Sequence, residues 1–253
     1  MKNTLKFFFS ILGYVINKKK DYLKIINLND WLPYKNKNEI YKIYYKGLNK
    51  SKELWADFFS KQLRVYSLVQ LVNKVLKQEK IYDFVECGCW RGHSSYIIAN
   101  LIIKKKKNIK FHIFDSFEGL SPSDKNDGFF YKQSSEYKSK LTEHFRSSED
   151  FLRNDVLKNF NFVRTYRGWI PSRFNEIKNN KFSFVHIDVD LYKPTIDTLD
   201  FFFPKLVKGG IIVCDDYNSS QFPGATKAWD QYFKKKNYNF FYEQPFGGCF
   251  IIK

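Results

Sequence analysis

The stretch Phe84-Val85-Glu86-Cys87-Gly88-Cys89-Trp90-Arg91-Gly92-His93-Ser94-Ser95 decides the fold. Its apolar start closes a buried strand over 82–86, its glycines make a tight turn, and the residues up to Leu101 continue as a helix. A strand that enters a helix through a glycine turn opens a β-α-β unit. It also aims backbone N–H groups at any anionic group beyond the strand end. The dinucleotide fingerprint needs glycine where Trp90 and His93 stand, so close approach of a pyrophosphate is not expected.

Working outward, strand-like apolar runs recur at 111–115, 160–165, 182–188 and 211–214, with helical stretches between them. Alternating strands and helices with continuously apolar strands predict an α/β fold, a parallel sheet covered on both faces. Upstream, apolar residues from Phe58 to Leu76 keep helical spacing and predict an amphipathic helix over 54–78. At the other end, the runs 238–242 and 249–253 are separated by six residues, Glu243 to Gly248, which suits a hairpin better than another crossover. Residues 121–150 are charged, Ser-rich and weakly periodic, with a helix near their end, and are expected to form a lid over the strand ends. The expected organisation is a helical or irregular extension, 1–53, followed by one domain, 54–253.

Composition limits the partners. The 253 residues carry 43 Lys plus Arg against 26 Asp plus Glu, a formal charge of +17 that by itself suggests nucleic acid or an anionic membrane. Only seven of the basic residues are Arg, and base readers depend on the bidentate Arg fork, so no specific nucleic acid is expected. The four cysteines, Cys87, Cys89, Cys214 and Cys249, contain no C-x-x-C pair and are expected to be buried, reduced thiols of a cytoplasmic protein. Residues 1–20 combine an apolar run too short to span a bilayer with Lys18-Lys19-Lys20. A helix packed on the body or on a second subunit of a homo-oligomer is expected there, with an interfacial helix at the inner membrane surface as the alternative.

The chemistry-bearing residues sit at the strand ends. An acidic-x-Gly-x-x-x-Gly turn is the form that S-adenosylmethionine enzymes use, with Glu86 available to the ligand's ammonium end. Asp115, 23 residues after Gly92, closes the second strand, where a carboxylate accepts hydrogen bonds from two ribose hydroxyls or else caps a helix. Two acidic clusters, His186-Ile187-Asp188-Val189-Asp190 and Cys214-Asp215-Asp216, end the strands 182–188 and 211–214. The segment between them has a helix start at Pro194 and a stop at Gly209-Gly210, a crossover that makes the strands parallel neighbours, about 4.8 Å apart. Carboxylates gathered at one edge repel unless a cation joins them, and all-oxygen donors select Mg²⁺, with Mn²⁺ or Ca²⁺ as alternatives. His186 is expected to be a hydrogen-bonded core residue, and His144 a surface residue with a general-base role as the alternative.

These motifs, together with Phe114-Asp115-Ser116-Phe117-Glu118-Gly119-Leu120, the continuation Leu191-Tyr192-Lys193-Pro194-Thr195, Asp215-Asp216-Tyr217 and Gly224-Ala225-Thr226-Lys227-Ala228, resemble the macrocin O-methyltransferase (TylF-type) family of sugar methyltransferases over residues 60–250. The resemblance implies a Rossmann-like class I methyltransferase fold with a mostly parallel seven-stranded sheet and a reversed last strand. It implies S-adenosylmethionine and Mg²⁺ as cofactors, and transfer to a hydroxyl of a sugar-containing acceptor. Carried over, Glu86, Gly88, Gly92 and Asp115 fall on cofactor positions and Asp188, Asp215 and Asp216 on metal positions; Arg91, Ser94, Ser116 and Trp169 complete the expected cofactor set. Asp188 and Asp190 are the catalytic candidates, with Asp188 favoured as ligand and Asp190 as base. A small non-sugar vicinal diol is the alternative acceptor, and a basic RNA-binding methyltransferase the alternative class.

Overall fold

The computed structural model describes residues 14–19, 22–27, 39–105 and 108–253. Strands β1 (Tyr14–Lys19) and β2 (Tyr22–Asn27) pair antiparallel, with Tyr14 opposite Asn27. Residues 14–19 are thus strand rather than part of the helix expected within residues 1–20, with Val15 opposite Ile26 and Ile16 opposite Ile25 in the register. The rest of that expectation lies outside the described residues.

Seven strands form the main sheet: β3 (Asp83–Cys87), β4 (Phe111–Asp115), β5 (Val163–Arg167), β6 (Phe182–Ile187), β7 (Leu206–Cys214), β8 (Phe240–Glu243) and β9 (Cys249–Ile252). Their order is β5-β4-β3-β6-β7-β9-β8. All neighbours are parallel except that β9 runs antiparallel to both β7 and β8. This is the Rossmann-like class I methyltransferase architecture, with the C-terminal hairpin supplying the reversed last strand. The chain builds outward from β3 to β5, then returns to place β6 on the other side of β3. The crevice at the carboxyl ends of β3 and β6 is the switch point where such sheets bind ligands.

Strand alternation divides the core. Phe84, Phe111, Phe184 and Ile211 pack on α1 (Glu39–Lys50), α2 (Phe59–Leu76) and α3 (His93–Lys104). Val85, Phe114, Val185 and Ile212 face the opposite layer, α5 (Tyr192–Phe202) and α6 (Pro223–Phe233). Ile43, Tyr44 and Leu48 of α1 belong to the same buried cluster as the sheet, so the packed core reaches upstream of residue 54.

Gly209-Gly210 does not stop a helix, because α5 ends at Phe202 and both glycines lie within β7. Between the pairs Phe182↔Leu206 and Phe184↔Ile211, β7 advances further than β6, and Gly209 adopts φ +75° at this bulge. Helix α2 starts at Phe59, later than expected, behind a single 3-10 turn, Leu54–Ala56. The excursion over 121–150 contains a 3-10 turn, Lys125–Asp127, and helix α4 (Ser135–Phe145). Leu120, Phe130, Leu191 and Phe222 give it a small core of its own. Asp127 anchors it by accepting the backbone N–H of Tyr192 at 2.7 Å. Gly224 makes room for that anchor, since a Cβ there would overlap the Asp127 carboxylate.

Candidate active site

The turn after β3 is shaped by close backbone approach. Gly88 has φ +81°, and a Cβ at that position would overlap the Asp188 carbonyl. Its N–H donates to Phe114 O at 2.8 Å, and Asp188 N–H donates to Cys87 O at 2.9 Å, so one small segment ties the ends of three strands together. Trp90 also takes a positive φ, 46°, which turns the chain back so that Gly92, φ +89°, caps α3. Asp115 braces this turn. Its Oδ2 accepts from Cys89 N at 2.7 Å and Trp90 N at 3.2 Å, and its Oδ1 accepts from Phe117 N at 2.7 Å. Burial raises its pKa against the pull of these donors.

A cleft opens beside the turn, lined by Gly88, Asp115, Ser116, Trp169, Asp188 and Asp190 among others. Four of the expected cofactor residues, Gly88, Asp115, Ser116 and Trp169, therefore meet there. The other four do not line it. Glu86 is fully buried behind the turn, with one oxygen taken by Ser95 Oγ and the other 3.0 Å from His186 Nδ1. Arg91 Nε donates to Ser51 O at 2.9 Å, fastening the turn to the chain end of α1. Gly92 serves the helix start, and Ser94 faces a second cavity.

That second cavity, about 380 Å³, lies above the acidic clusters and is lined by Asp188, Asp190, Asp215 and Asp216 together with Arg64 and His186. Trp90, Phe145, Asp188 and Asp190 line both spaces, so the two meet at this wall. Arg64, from α2, reaches Asp215 Oδ2 at 3.3 Å. Asp216 Oδ2 accepts the backbone N–H of Asp190 at 2.8 Å, which holds Asp190 at φ +61°. His186 is buried, with Nε2 4.0 Å from Asp215 Oδ1, so a chain Glu86–His186–Asp215–Arg64 runs from the core to the cavity.

The charges are unevenly satisfied. Burial, with Asp215 adding to it, pushes Asp188 up to about 7. Burial and the neighbouring carboxylates push Asp190 and Asp216 well above the usual carboxylate range. Burial also opposes ionisation of Asp215, but Arg64 and His186 outweigh it and hold that carboxyl at about 2. Burial disfavours a charged His186, yet Asp215 and Glu86 raise it well above its ordinary value. Oxygen-only donors that repel one another for want of positive charge fit a hard divalent cation in chemistry. Arg64 supplies the positive charge at Asp215, and among the described residues no three His, Cys, Asp or Glu side chains stand together as a ligating group.

Arg64, Trp55 and Phe145 of the cavity wall were not among the sequence candidates. Arg64 had one signal: it is one of only seven Arg in a Lys-dominated chain, placed on a helix entering the first strand of the sheet. His144 is exposed at the cavity rim and His186 is buried, as expected for both. The four cysteines are buried and free. Among the described residues no helix is long and apolar enough to cross a membrane.

The architecture matches solved methyltransferases. It superposes on the O-methyltransferase NovP with a TM-score of 0.60 at 22% identity, covering 75% of this chain and 79% of that one. It also superposes on CalS11, a calicheamicin methyltransferase, with a TM-score of 0.56 at 19% identity, covering 87% and 93%. The chain belongs to the macrocin-O-methyltransferase (TylF) family, whose model matches residues 57–240. It is 27% identical over 180 residues to demethyldecarbamoylnovobiocin O-methyltransferase of Streptomyces niveus, covering 67% of this chain and 64% of the relative. It is 26% identical over 161 residues to mycinamicin III 3''-O-methyltransferase of Micromonospora griseorubida, covering 61% and 62%. The chain thus spans less than two thirds of the length of these relatives.

Proposed function

We propose that this protein is a cytoplasmic S-adenosylmethionine-dependent O-methyltransferase that transfers the methyl group to a sugar hydroxyl. The observation that carries this reading is the junction of two spaces at Asp188 and Asp190: a cleft beside the glycine turn and Asp115, and a cavity above the acidic clusters. A methyl transfer needs a donor and an acceptor held in line on two sides of one point. Asp115 keeps lone-pair capacity on Oδ1 for a ribose hydroxyl while its Oδ2 braces the turn. Membership of the family supports the same reaction, and a relative whose name specifies a rhamnosyl-bearing tetracenomycin as the substrate of a 4'-O-methyl transfer supports the sugar-containing acceptor.

In this reading Asp188, Asp215 and Asp216 would hold a divalent cation, Mg²⁺ or Mn²⁺. Bound there, such an ion would supply Lewis-acid chemistry that makes an acceptor hydroxyl more acidic. Asp190, which lines both spaces, takes the proton of the acceptor hydroxyl. Arg64, 3.3 Å from Asp215, keeps that carboxylate ionised. His186 and Glu86 support Asp215 from beneath.

The test is a calorimetric titration with S-adenosylmethionine, with and without Mg²⁺, followed by methyl transfer from labelled cofactor to a panel of nucleotide sugars and glycosides. Saturable cofactor binding and transfer to a sugar are expected. Tight NAD binding, or cofactor binding with transfer only to non-sugar diols, overturns the reading.

A further inference from the structure

Trp55 is 62% exposed, the highest value among the large apolar side chains of the described residues. The turn that carries it is nonetheless firmly held. Ala56 and Glu53 on either side are buried, Glu53 pairs with Lys61 at 2.7 Å, and Asp57 accepts from Tyr44 Oη at 2.8 Å and Gln62 Nε2 at 2.9 Å. A held turn thus presents an indole toward solvent beside exposed Leu54 and Phe58, an apolar patch of the kind that marks binding sites.

Its neighbours come from distant parts of the chain. The Trp55 ring stands nearly perpendicular to Trp90, with centroids 5.8 Å apart at 84°, and to His144, 5.5 Å apart at 76°. Trp90 and His144 are 5.4 Å apart and inclined by only 35°, so they make one wall and Trp55 a second at right angles to it. Trp90 Nε1 donates to His144 O at 3.1 Å, which locks the turn after β3 to the end of α4. All three side chains line the cavity that holds the four aspartates.

We infer that this aromatic corner is the sugar subsite, and that it binds the C–H face of a neutral pyranose ring; the inference rests on the sugar-methyltransferase reading above. A chair pyranose has C–H groups on its face and on part of its rim, so it meets both walls. Its hydroxyls project around the ring, where they reach Asp188 and Asp190. Among the described residues, the lysine and arginine lining the cavity are already engaged, Lys61 by Glu53 and Arg64 by Asp215, and His186 stands between Glu86 and Asp215. A phosphate would find carboxylates there rather than a free counter-charge. The corner therefore takes the ring itself, and in a nucleotide sugar the diphosphate stays outside it.

The experiment uses the full chain with S-adenosylmethionine and Mg²⁺. The acceptors are methyl pyranosides of gluco, galacto, manno, rhamno and fuco configuration and the matching nucleoside-diphosphate sugars. With the best acceptor of the panel, Trp55→Ala should raise the acceptor KM about tenfold or more, the usual cost of truncating a stacking anchor. The cofactor KM should stay unchanged, and Trp55→Phe should recover most of the loss. The same acceptor should quench tryptophan fluorescence of the wild type in the presence of S-adenosylhomocysteine, and quench Trp55→Ala less. Sugar methylation with an unchanged acceptor KM in Trp55→Ala overturns this inference alone. An acceptor KM that rises equally in Trp55→Phe and Trp55→Ala overturns stacking as its cause. Cofactor binding without transfer to any sugar of the panel overturns the sugar reading and this inference with it.

Discussion

The carboxylate of Asp115 accepts a hydrogen bond from the backbone N–H of Cys89 at 2.7 Å, so the end of β4 holds the turn that follows β3 in place. The residue expected to bind a ribose is thus also a structural brace, and its replacement has two consequences. Asp115→Ala should weaken S-adenosylmethionine binding by about 1.5–3 kcal/mol, the worth of hydrogen bonds to a charged group. It should also lower the melting temperature of the ligand-free protein, because Cys89, Trp90 and Phe117 lose their acceptor. Calorimetry and thermal melts separate the two effects. Unchanged cofactor affinity would remove Asp115 from the binding site and leave only the brace.

The acidic clusters make a different prediction. Asp188→Asn, Asp215→Asn and Asp216→Asn should each cut methyl transfer on the order of a hundredfold or more while cofactor affinity changes little. EDTA should abolish turnover, and Mg²⁺ or Mn²⁺ should restore it. Asp190→Asn should lower the rate without changing the Mg²⁺ concentration for half-maximal activity, whereas Asp188→Asn should raise that concentration. Full turnover in EDTA with an active Asp215→Asn protein would leave a metal-free reaction.

Gly88→Ala should be severely destabilising, by about 3 kcal/mol or more, because the residue sits at φ +81° and a Cβ would overlap the carbonyl of Asp188. Gly247, in the turn between β8 and β9 and also at positive φ, +95°, has nothing closer to its Cβ position than Arg64 Cδ at 3.9 Å, so Gly247→Ala should carry only the backbone cost, about 1 kcal/mol. Denaturant titration of the two variants checks the contrast. Equal losses would mean that backbone strain, not the approach to Asp188, is what Gly88 relieves.

His93 links stability to pH. It is buried, and its Nε2 lies 3.1 Å from Tyr44 O, joining α3 to α1. Burial, with Lys61 adding to it, lowers its pKa to about 3 from 6.5. The unfolded chain therefore takes up this proton first. Its stabilising contribution is complete above pH 6.5 and is lost as pH falls from 6.5 toward 3. The raised carboxyls of Asp188, Asp190 and Asp216 act with the opposite sign over the upper part of this range, so the informative quantity is a difference. His93→Gln, which keeps a donor for Tyr44 O, should lose less stability than wild type between pH 6.5 and 4. Parallel losses in the two proteins would place the acid sensitivity elsewhere.

Much of this protein can be determined from its sequence alone. The apolar runs predict β3, β4 and β6 to within a residue because these strands are buried on both faces and their runs are mostly apolar, whereas β7 starts at Leu206, five residues before its run. The six-residue spacing before Cys249 predicts the antiparallel hairpin, since so short a connection cannot cross over a sheet. Asp188, Asp190, Asp215 and Asp216 could be placed at one edge because right-handed crossovers bring successive parallel strands side by side. Tertiary packing decided which of two chemically equivalent roles each residue plays. Nothing in the order of residues says that Glu86 turns inward to Ser95 and His186, or that Gly88 leaves room for the carbonyl of Asp188 as well as lining the cleft. Nor does it bring Arg64 to Asp215, or Trp55, Trp90 and His144 into one corner. Local periodicity reports only which face of an element is buried. Contacts between segments far apart in the chain depend on how those faces are packed together, and this protein's charges and aromatic rings meet through such contacts.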